Sequence, residues 1–383
     1  GGGPARFAGS FSRFGWSATL MDAPATVSAA PAVKRQPRGD RSGFASMDQA
    51  YLTRARMVTV LLALGVVLVA VGALALLFGS VKINFIRALT QASSPDRAIL
   101  FTARMPRVLM GAVVGAILAA VGAALQALVR NPLAEGGTLG ISSGAAFGAI
   151  VALVLTYRFG GGPAVVPIAG FAAALVSTLA VYRLGQMHGR IEPFSLLLVG
   201  VIFNTFWSAL ILLINSVVNL YQTRSIMFWL VGSLEAPTYY EVAAVGALGV
   251  AGFLWLMWHA RDMNLISLGE DSARDLGVEV DAVRRAIFIA TSLMIGAAVS
   301  VSGMIGFVGL IVPHILRLAF GADHRLLLPA SFLAGAAFLV AADLVARVLI
   351  APAELPVGVI TALCGGPFFI YLLRREGHRG IAV

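Results

Sequence analysis

Ten apolar segments follow one another between Met57 and Leu373, and this series limits the fold more than any other feature. A helix needs about 20 apolar residues to cross a bilayer. In hydrocarbon every backbone polar group must be satisfied internally, which leaves helices as the spanning element for runs of this length. Only 12% of the 383 residues are charged and 59% are hydrophobic. A soluble domain carries about 25% charged residues. The sequence therefore predicts an all-α membrane protein with ten transmembrane helices.

The predicted spans are Met57–Gly79, Val108–Val129, Thr138–Thr156, Pro163–Tyr182, Phe194–Val218, Val242–Trp258, Ala286–Ser302, Gly303–Leu316, Leu327–Ile350 and Leu355–Leu373. The seventh and eighth come from one run that is too long for a single crossing and breaks at Ser302-Gly303. Val81 to Met105 reads as a polar connection with short amphipathic structure. Ile226 to Leu234 is too short to cross at about 1.5 Å per residue and reads as an interfacial or re-entrant helix. Residues 51–383 form the predicted membrane domain. Residues 1–50 are rich in Gly, Ala, Ser, Pro and Arg and hold no apolar core of a signal peptide. They read as a disordered tail. The tail opens without a methionine, with Met21 and Met47 inside it, and so reads as non-native or as a start placed too early.

The most informative stretch runs from Arg104 to Gly148. Gly111, Gly115, Ala119, Gly122 and Gln126 recur at helical spacing and share one face. Such small-residue faces let helix backbones approach closely in a membrane. Arg130-Asn131-Pro132-Leu133 then breaks the helix, because proline cannot continue it. Adding 181 to Arg104, Gly115, Gly122, Pro132 and Gly140 gives Arg285, Gly296, Gly303, Pro313 and Gly321. This points to an internal repeat, a recurring plan of transporters.

Ten spans place both termini on one side. Outside residues 1–50, that side carries fourteen Lys and Arg and the other side eight. The richer side is expected to be cytoplasmic, which makes the repeat inverted. The net charge of +10 is accounted for in this way, without nucleic acid as a partner. The segment 261–285 is the longest polar stretch within the membrane domain. In it, Leu268 to Val278 reads as one short cytoplasmic helix, with Glu270 and Asp271 suited to its N-terminus and Gly277 to its stop. Such a helix either docks a partner or is an ordinary surface helix.

Polar residues inside the spans are few. Asn204, Ser208 and Asn215 share one face of the fifth span. With Gln126 they are candidates for lining a pathway, interhelical hydrogen bonding being the other reading. Asp343 and Arg347 stand at i and i+4 in the ninth span, as a functional charge pair or a structural one. Gly140-Ile-Ser142-Ser-Gly144 matches the nucleophile-elbow pattern, although it opens a helix after a loop rather than after a strand. The single cysteine, Cys364, builds no thiolate metal site, and the histidines lack ligand spacing. No metal site and no catalytic residue is expected. A phosphate loop needs G-x-x-x-x-G-K-[ST]. The only lysines, Lys34 and Lys82, each follow a valine. Any ATP hydrolysis that drives this chain belongs to another polypeptide.

Five stretches together resemble one family: RMPR at 104–107, QALVRNPLAEGGTLGISSGAAFG at 126–148, LGEDSARDLGV at 268–278, GFVGLIVPHILRLAFGADHRLLLPAS at 306–331 and AELPVGVITALCGGPFFIYLLRR at 353–375. They are similar, in order, to the FecCD/BtuC-like permease subunits of type II ABC importers for iron-siderophores, haem and cobalamin. The resemblance implies a homodimer in a bacterial inner membrane with two cytoplasmic ATPases that hold ATP and Mg, a periplasmic binding protein, and no cofactor on this chain. It implies that Leu268, Gly269, Glu270, Asp271, Ser272, Ala273, Arg274, Asp275, Leu276 and Gly277 form the coupling helix. It implies a cytoplasmic gate at Asn131, Pro132 and Leu133, and outward arginines at Arg104, Arg107 and Arg347 for binding-protein docking. A second gate is implied before the fifth span, where Arg190-Ile-Glu-Pro-Phe194 is bulkier than the small residues expected. The usual NPLA[DE]P reads NPLAEG here, so the turn after the gate is expected to be more mobile. The competing classes are an ion-coupled secondary transporter and an intramembrane serine hydrolase using Ser142 and His314.

Overall fold

The computed structural model describes residues 53–187, 189–234 and 237–377. The predicted tail at 1–50 lies outside the described residues.

The helices follow the apolar runs closely. They are α1 (Arg54–Leu77), α2 (Phe85–Thr90), α3 (Pro95–Ala98), a π-helical turn (Ile99–Arg104), α4 (Met105–Leu128), α5 (Ile141–Phe159) and α6 (Val165–Leu184). A two-residue hairpin, β1 (Gln186–Met187) and β2 (Arg190–Ile191), precedes α7 (Pro193–Val217), α8 (Leu220–Val231) and α9 (Tyr239–Trp258). Then come α10 (Ala260–Leu268), α11 (Glu270–Asp275), α12 (Val280–Ser302), α13 (Val308–Phe320), α14 (His324–Val348) and α15 (Val357–Gly377). Among the described residues eight helical segments are long and apolar enough to cross a bilayer, and two shorter apolar helices, Val308–Phe320 and Val357–Tyr371, stand where the eighth and tenth spans are predicted.

Caps explain the boundaries. Asn219 and Gln222 form a reciprocal capping box, which starts α8 before the apolar run that signalled it. Glu192 caps α7 by accepting from Ser195 N at 2.7 Å, with Pro193 in the first turn. Thr238 and Glu241 do the same for α9. Pro106, which has no N–H to give, sits beside the joint between the π-helical turn and α4.

The body is built around α4. Nineteen of its 24 residues are buried, and α12 is nearly as enclosed. The outer helices α1, α6, α7 and α9 present wide apolar faces away from the body, as spans bordering lipid do. The small-residue face of α4 performs the predicted role. A Cβ on Gly115 would lie 2.3 Å from Gly335 O on α14, and one on Gly122 would lie 2.0 Å from Gly309 O on α13. Gln126 continues this face. It donates to Gly309 O at 3.0 Å and accepts from Arg317 at 2.8 Å. Gln126 is therefore buried as a tie between α4 and α13 rather than placed on a pathway wall.

Two expectations change. The helix–break–helix plan recurs, as α4 to α5 and as α12 to α13. The 181-residue register does not, because it pairs unlike sites. Gly122 lies inside α4, whereas Gly303 closes α12 with φ +67°. Pro132 sits in a loop and Pro313 inside α13. Arg104 is buried and Arg285 exposed. The second change concerns the coupling segment, which is two helices. Gly269 has φ +139°, a conformation that favours glycine. It separates Leu268, the last residue of α10, from α11.

A valine at Gly122 has no space unless the two backbones part. Gly122→Val is expected to destabilise the detergent-solubilised protein by about 4 kcal/mol or to prevent folding. Gly72→Ala, on the open face of α1 with nothing within 4 Å, is expected to be neutral. Thermal melting of the two variants checks this, and equal melting points would refute the contact.

Candidate functional site: an ion network joining α11 to the turn after α4

The short segment between α9 and α12 leaves one surface free and binds the body with the other. Ala260, Met263 and Ile266 of α10 are buried, as is Ala273 of α11. α11 ends in paired turns: Val278 N donates to Ala273 O at 3.0 Å and Gly277 N to Arg274 O at 2.9 Å. This is the glycine-closed stop expected at Gly277. Asp271, Ser272, Arg274, Asp275 and Gly277 are exposed, and so are the apolar Leu268 and Leu276, at 76% and 66%.

Glu270, in the first turn of α11, is the hub. Its carboxylate accepts from Arg284 at 2.5 Å and from Arg274 at 3.2 Å, and lies 3.7 Å from Arg130. Arg284 stands in the second turn of α12 and is buried. Its other terminal nitrogen donates to Ile191 O of the hairpin at 3.4 Å. Arg130 has a left-handed φ of +49°, which brings its guanidinium to Ile266 O at 3.1 Å. The hydrogen bond from Arg284 holds the Glu270 carboxyl below its ordinary value, against a smaller desolvation.

Arg130 leads directly into the predicted gate. Asn131 Oδ1 accepts from Leu133 N at 2.9 Å, and Asn131 O from Ala134 N at 3.1 Å. This makes a self-bonded turn that leaves Pro132 and Leu133 exposed. The network thus ties α11 to the turn after α4 through Arg130, and to the hairpin before α7 through Arg284. In that hairpin Arg190 pairs with Asp281 at 3.6 Å, and Glu192 serves as a helix cap. Arg284 was not singled out in the sequence. An arginine in the second turn of an amphipathic helix, with a carboxylate fourteen residues earlier, is the available signal.

At the other end of the body, Arg104, Arg107 and Arg347 come together, but none projects freely. Arg104 donates to Leu76 O and Leu77 O at 2.7 and 3.0 Å and to Val81 O. Arg347 donates to Ala75 O at 3.1 Å and Phe78 O at 3.4 Å. Except for Val81 O, in the loop that follows, these are the carbonyls at the end of α1, which lack helical partners. Arg107 bridges Asp343 at 2.9 Å and Glu354 at 2.6 Å, and Arg347 also holds Asp343 at 2.9 Å. Burial of Arg104 and Arg347 corrects the expectation of three outward arginines. All three still border one recess of about 640 Å³ with Ser80, Thr238, Tyr239 and Glu354. Three guanidiniums against two carboxylates leave it net positive.

The other candidates separate. Asn204 is partly buried, accepting from Ser143 at 2.6 Å and donating to Gly137 O at 2.5 Å, so it ties α7 to α5. Ser208 is exposed. Asn215 is half-buried, with a buried Oδ1 that no group satisfies. Gly140, with φ +74°, opens α5 after a loop, so the strand that a nucleophile elbow needs does not precede Ser142. Asp343 is held by two arginines rather than waiting for an ion.

The FecCD transport family matches residues 67–375. The chain belongs to the FecCD transport family. Its relatives include the cobalamin import system permease BtuC of Halobacterium salinarum, 46% identical over 299 residues, 76% of this chain and 78% of that one. The hemin transport system permease HmuU of Yersinia pestis is 38% identical over 305 residues, covering 78% and 90%. A solved structure described as an inward-facing conformation of a metal-chelate type ABC transporter superposes with a TM-score of 0.73 at 30% identity, covering 83% of this chain and 99% of that one. The family is one of ABC transport permeases, and this chain is a multi-pass membrane permease of that kind.

In this FecCD protein, removing Glu270 strands the buried Arg284 charge. Glu270→Ala is expected to cost about 3 kcal/mol, and Arg274→Ala, at the exposed edge, less than about 1. Thermal melting compares them, and equal losses would remove Glu270 from its central place. The pH dependence has a definite sign. A depressed carboxyl contributes stability above the unfolded glutamate value of about 4.3 and loses it as pH falls through the lower folded value. The Glu270 contribution, taken as wild type minus Glu270→Gln, should be flat from about pH 6 to 8 and shrink only below about pH 4.

Proposed function

We propose that this chain is the permease of an ATP-driven importer working by alternating access, with the transport path between two copies of the chain. Two cytoplasmic ABC ATPases would sit against the coupling segment, and a periplasmic binding protein would deliver cargo at the opposite face. This places the protein in a bacterial inner membrane with both termini cytoplasmic, the side richer in arginine. The cargo class is an iron chelate, haem or cobalamin, in keeping with what the relatives are named for.

The observation that carries the reading is the Glu270 network. Exposed Leu268 and Leu276 flank a charged helix, a pattern suited to a groove on a soluble partner. The same helix is wired through Arg130 to the gate turn at Asn131, Pro132 and Leu133. A push at the surface is therefore delivered to that turn. No ATP or Mg is held by this chain in the proposal, and hydrolysis belongs to the partner. At the outer face the net positive recess suits carboxylates of the binding protein, which would compete with Glu354 for Arg107.

Uptake of labelled ferric siderophore, haem and cobalamin by cells with and without the gene tests the function. Selective loss of one cargo, restored by the wild-type gene and not by Leu268→Arg with Leu276→Arg, is expected. Restoration by that double variant would remove the coupling role. For the outer face, Glu354→Gln frees Arg107 and should tighten binding-protein affinity several-fold at low salt, with the gain fading as salt rises. Weaker binding would place docking elsewhere.

A further inference from the structure

The Glu270 network and the Arg130 bond to Ile266 O are not the only attachments of the coupling segment. Another lies before Gly269 and is uncharged at its centre. Asn264, in α10, donates from Nδ2 to Asp323 Oδ1 at 2.8 Å. Its Oδ1 accepts from the backbone N–H of His324 at 2.8 Å and from His324 Nδ1 at 2.7 Å. Only this orientation of the amide works, because a carboxylate needs a donor and a backbone N–H needs an acceptor. It also fixes the imidazole with its proton on Nδ1. His324 is buried and is the first residue of α14. Asn264 thus completes the N-terminal turn of α14, whose leading N–H groups have no partner within the helix. Asp323 serves the same turn by accepting from Arg325 N at 3.0 Å.

The Glu270 and Asn264 attachments lead to different places. Beyond Gly269, Glu270 leads to α12 and the gate turn. Before it, Asn264 leads to α14 alone. That helix is 25 residues long, about 37 Å at 1.5 Å per residue. Its far end carries Asp343, which pairs with both Arg107 and Arg347, and Arg347 borders the recess. α14 also packs backbone to backbone on α4 at Gly335 and Gly115. Pro329 interrupts the hydrogen-bond ladder in the second turn of α14, and beyond it the close grip on α4 at Gly335 holds the helix in line.

We infer that Asn264 is a positioning residue that fixes the coupling segment to α14, so that the state of the ATPase reaches the outer recess through that helix. The inference rests on the coupling segment being the ATPase contact. Its signature is reciprocal. Nucleotide state at one face alters binding-protein affinity at the other, and the coupling runs equally in both directions.

The test uses the whole transporter, with its ATPase and binding protein, in proteoliposomes. Wild type, Asn264→Ala, His324→Asn and His324→Leu are compared. Asparagine at 324 keeps a donor near the Nδ1 position, and leucine keeps bulk alone. The readouts are ATPase co-purification, hydrolysis rate, cargo moved per ATP, and binding-protein affinity with and without nucleotide. For Asn264→Ala and His324→Leu, the ATPase should still co-purify and hydrolyse. Cargo per ATP should fall about tenfold, and the nucleotide effect on binding-protein affinity should be nearly abolished. His324→Asn should keep most of both. The inference is overturned if Asn264→Ala leaves cargo per ATP and the nucleotide effect intact. It is equally overturned if His324→Asn is as damaged as His324→Leu, which would make the imidazole a packing group. A wild-type chain that binds no ATPase at this segment would take down the proposed function itself, a result distinct from either.

Discussion

Everything in this molecule depends on how closely α4 is approached by its neighbours. With Gly115 against Gly335 and Gly122 against Gly309, the backbones of α4, α14 and α13 meet almost without side chains between them. Lipid supplies no hydrophobic drive for helix association, so packing of this kind and interhelical hydrogen bonds must hold the bundle. Gln126 adds such bonds at the C-terminal end of the same face. The consequence is mechanical. α4 and α14 form one stiff unit, and the gate turn is simply where α4 stops.

The ends of that unit are charged and its middle is not. At the inner end, Glu270 gathers three arginines from three parts of the chain. At the outer end, Asp343 and Glu354 share Arg107, with Arg347 alongside. Buried ion pairs are poor sources of stability but strong sources of register, because a lost partner leaves a charge without compensation. Here they fix which segments move together. The free surface of α11 is left to charged side chains and the exposed Leu268 and Leu276.

The spans, their order and the small-residue face were legible in the sequence because each is a local pattern of about twenty residues. The break at Gly269 was not, since glycine in a run of polar residues reads equally well as part of a helix or as its end. The burial of Arg104 and Arg347 was hidden for a different reason. Arginine at the end of a span signals the water boundary, and only the fold shows that the end of α1 offers carbonyls in need of donors. Gln126 failed similarly: a polar residue on a helix face gives no sign of whether water or a neighbouring carbonyl will satisfy it. The 181-residue register failed because glycine is frequent enough to align sites of opposite use. The family resemblance pointed to the turn at Asn131, Pro132 and Leu133, and the structure shows that Arg130, just before it, lies against Glu270 and Ile266 O.

The arginine caps on α1 also bear on how the protein is made. Arg347 reaches Ala75 O across 272 positions of chain. Synthesis at 5–20 residues per second puts roughly 15–50 s between the two. Until α14 enters the bilayer, the first span has its closing carbonyls only half served, by Arg104. The first span is thus tied into the bundle by a residue made long after it, and its end receives its last donors only once α14 is in place.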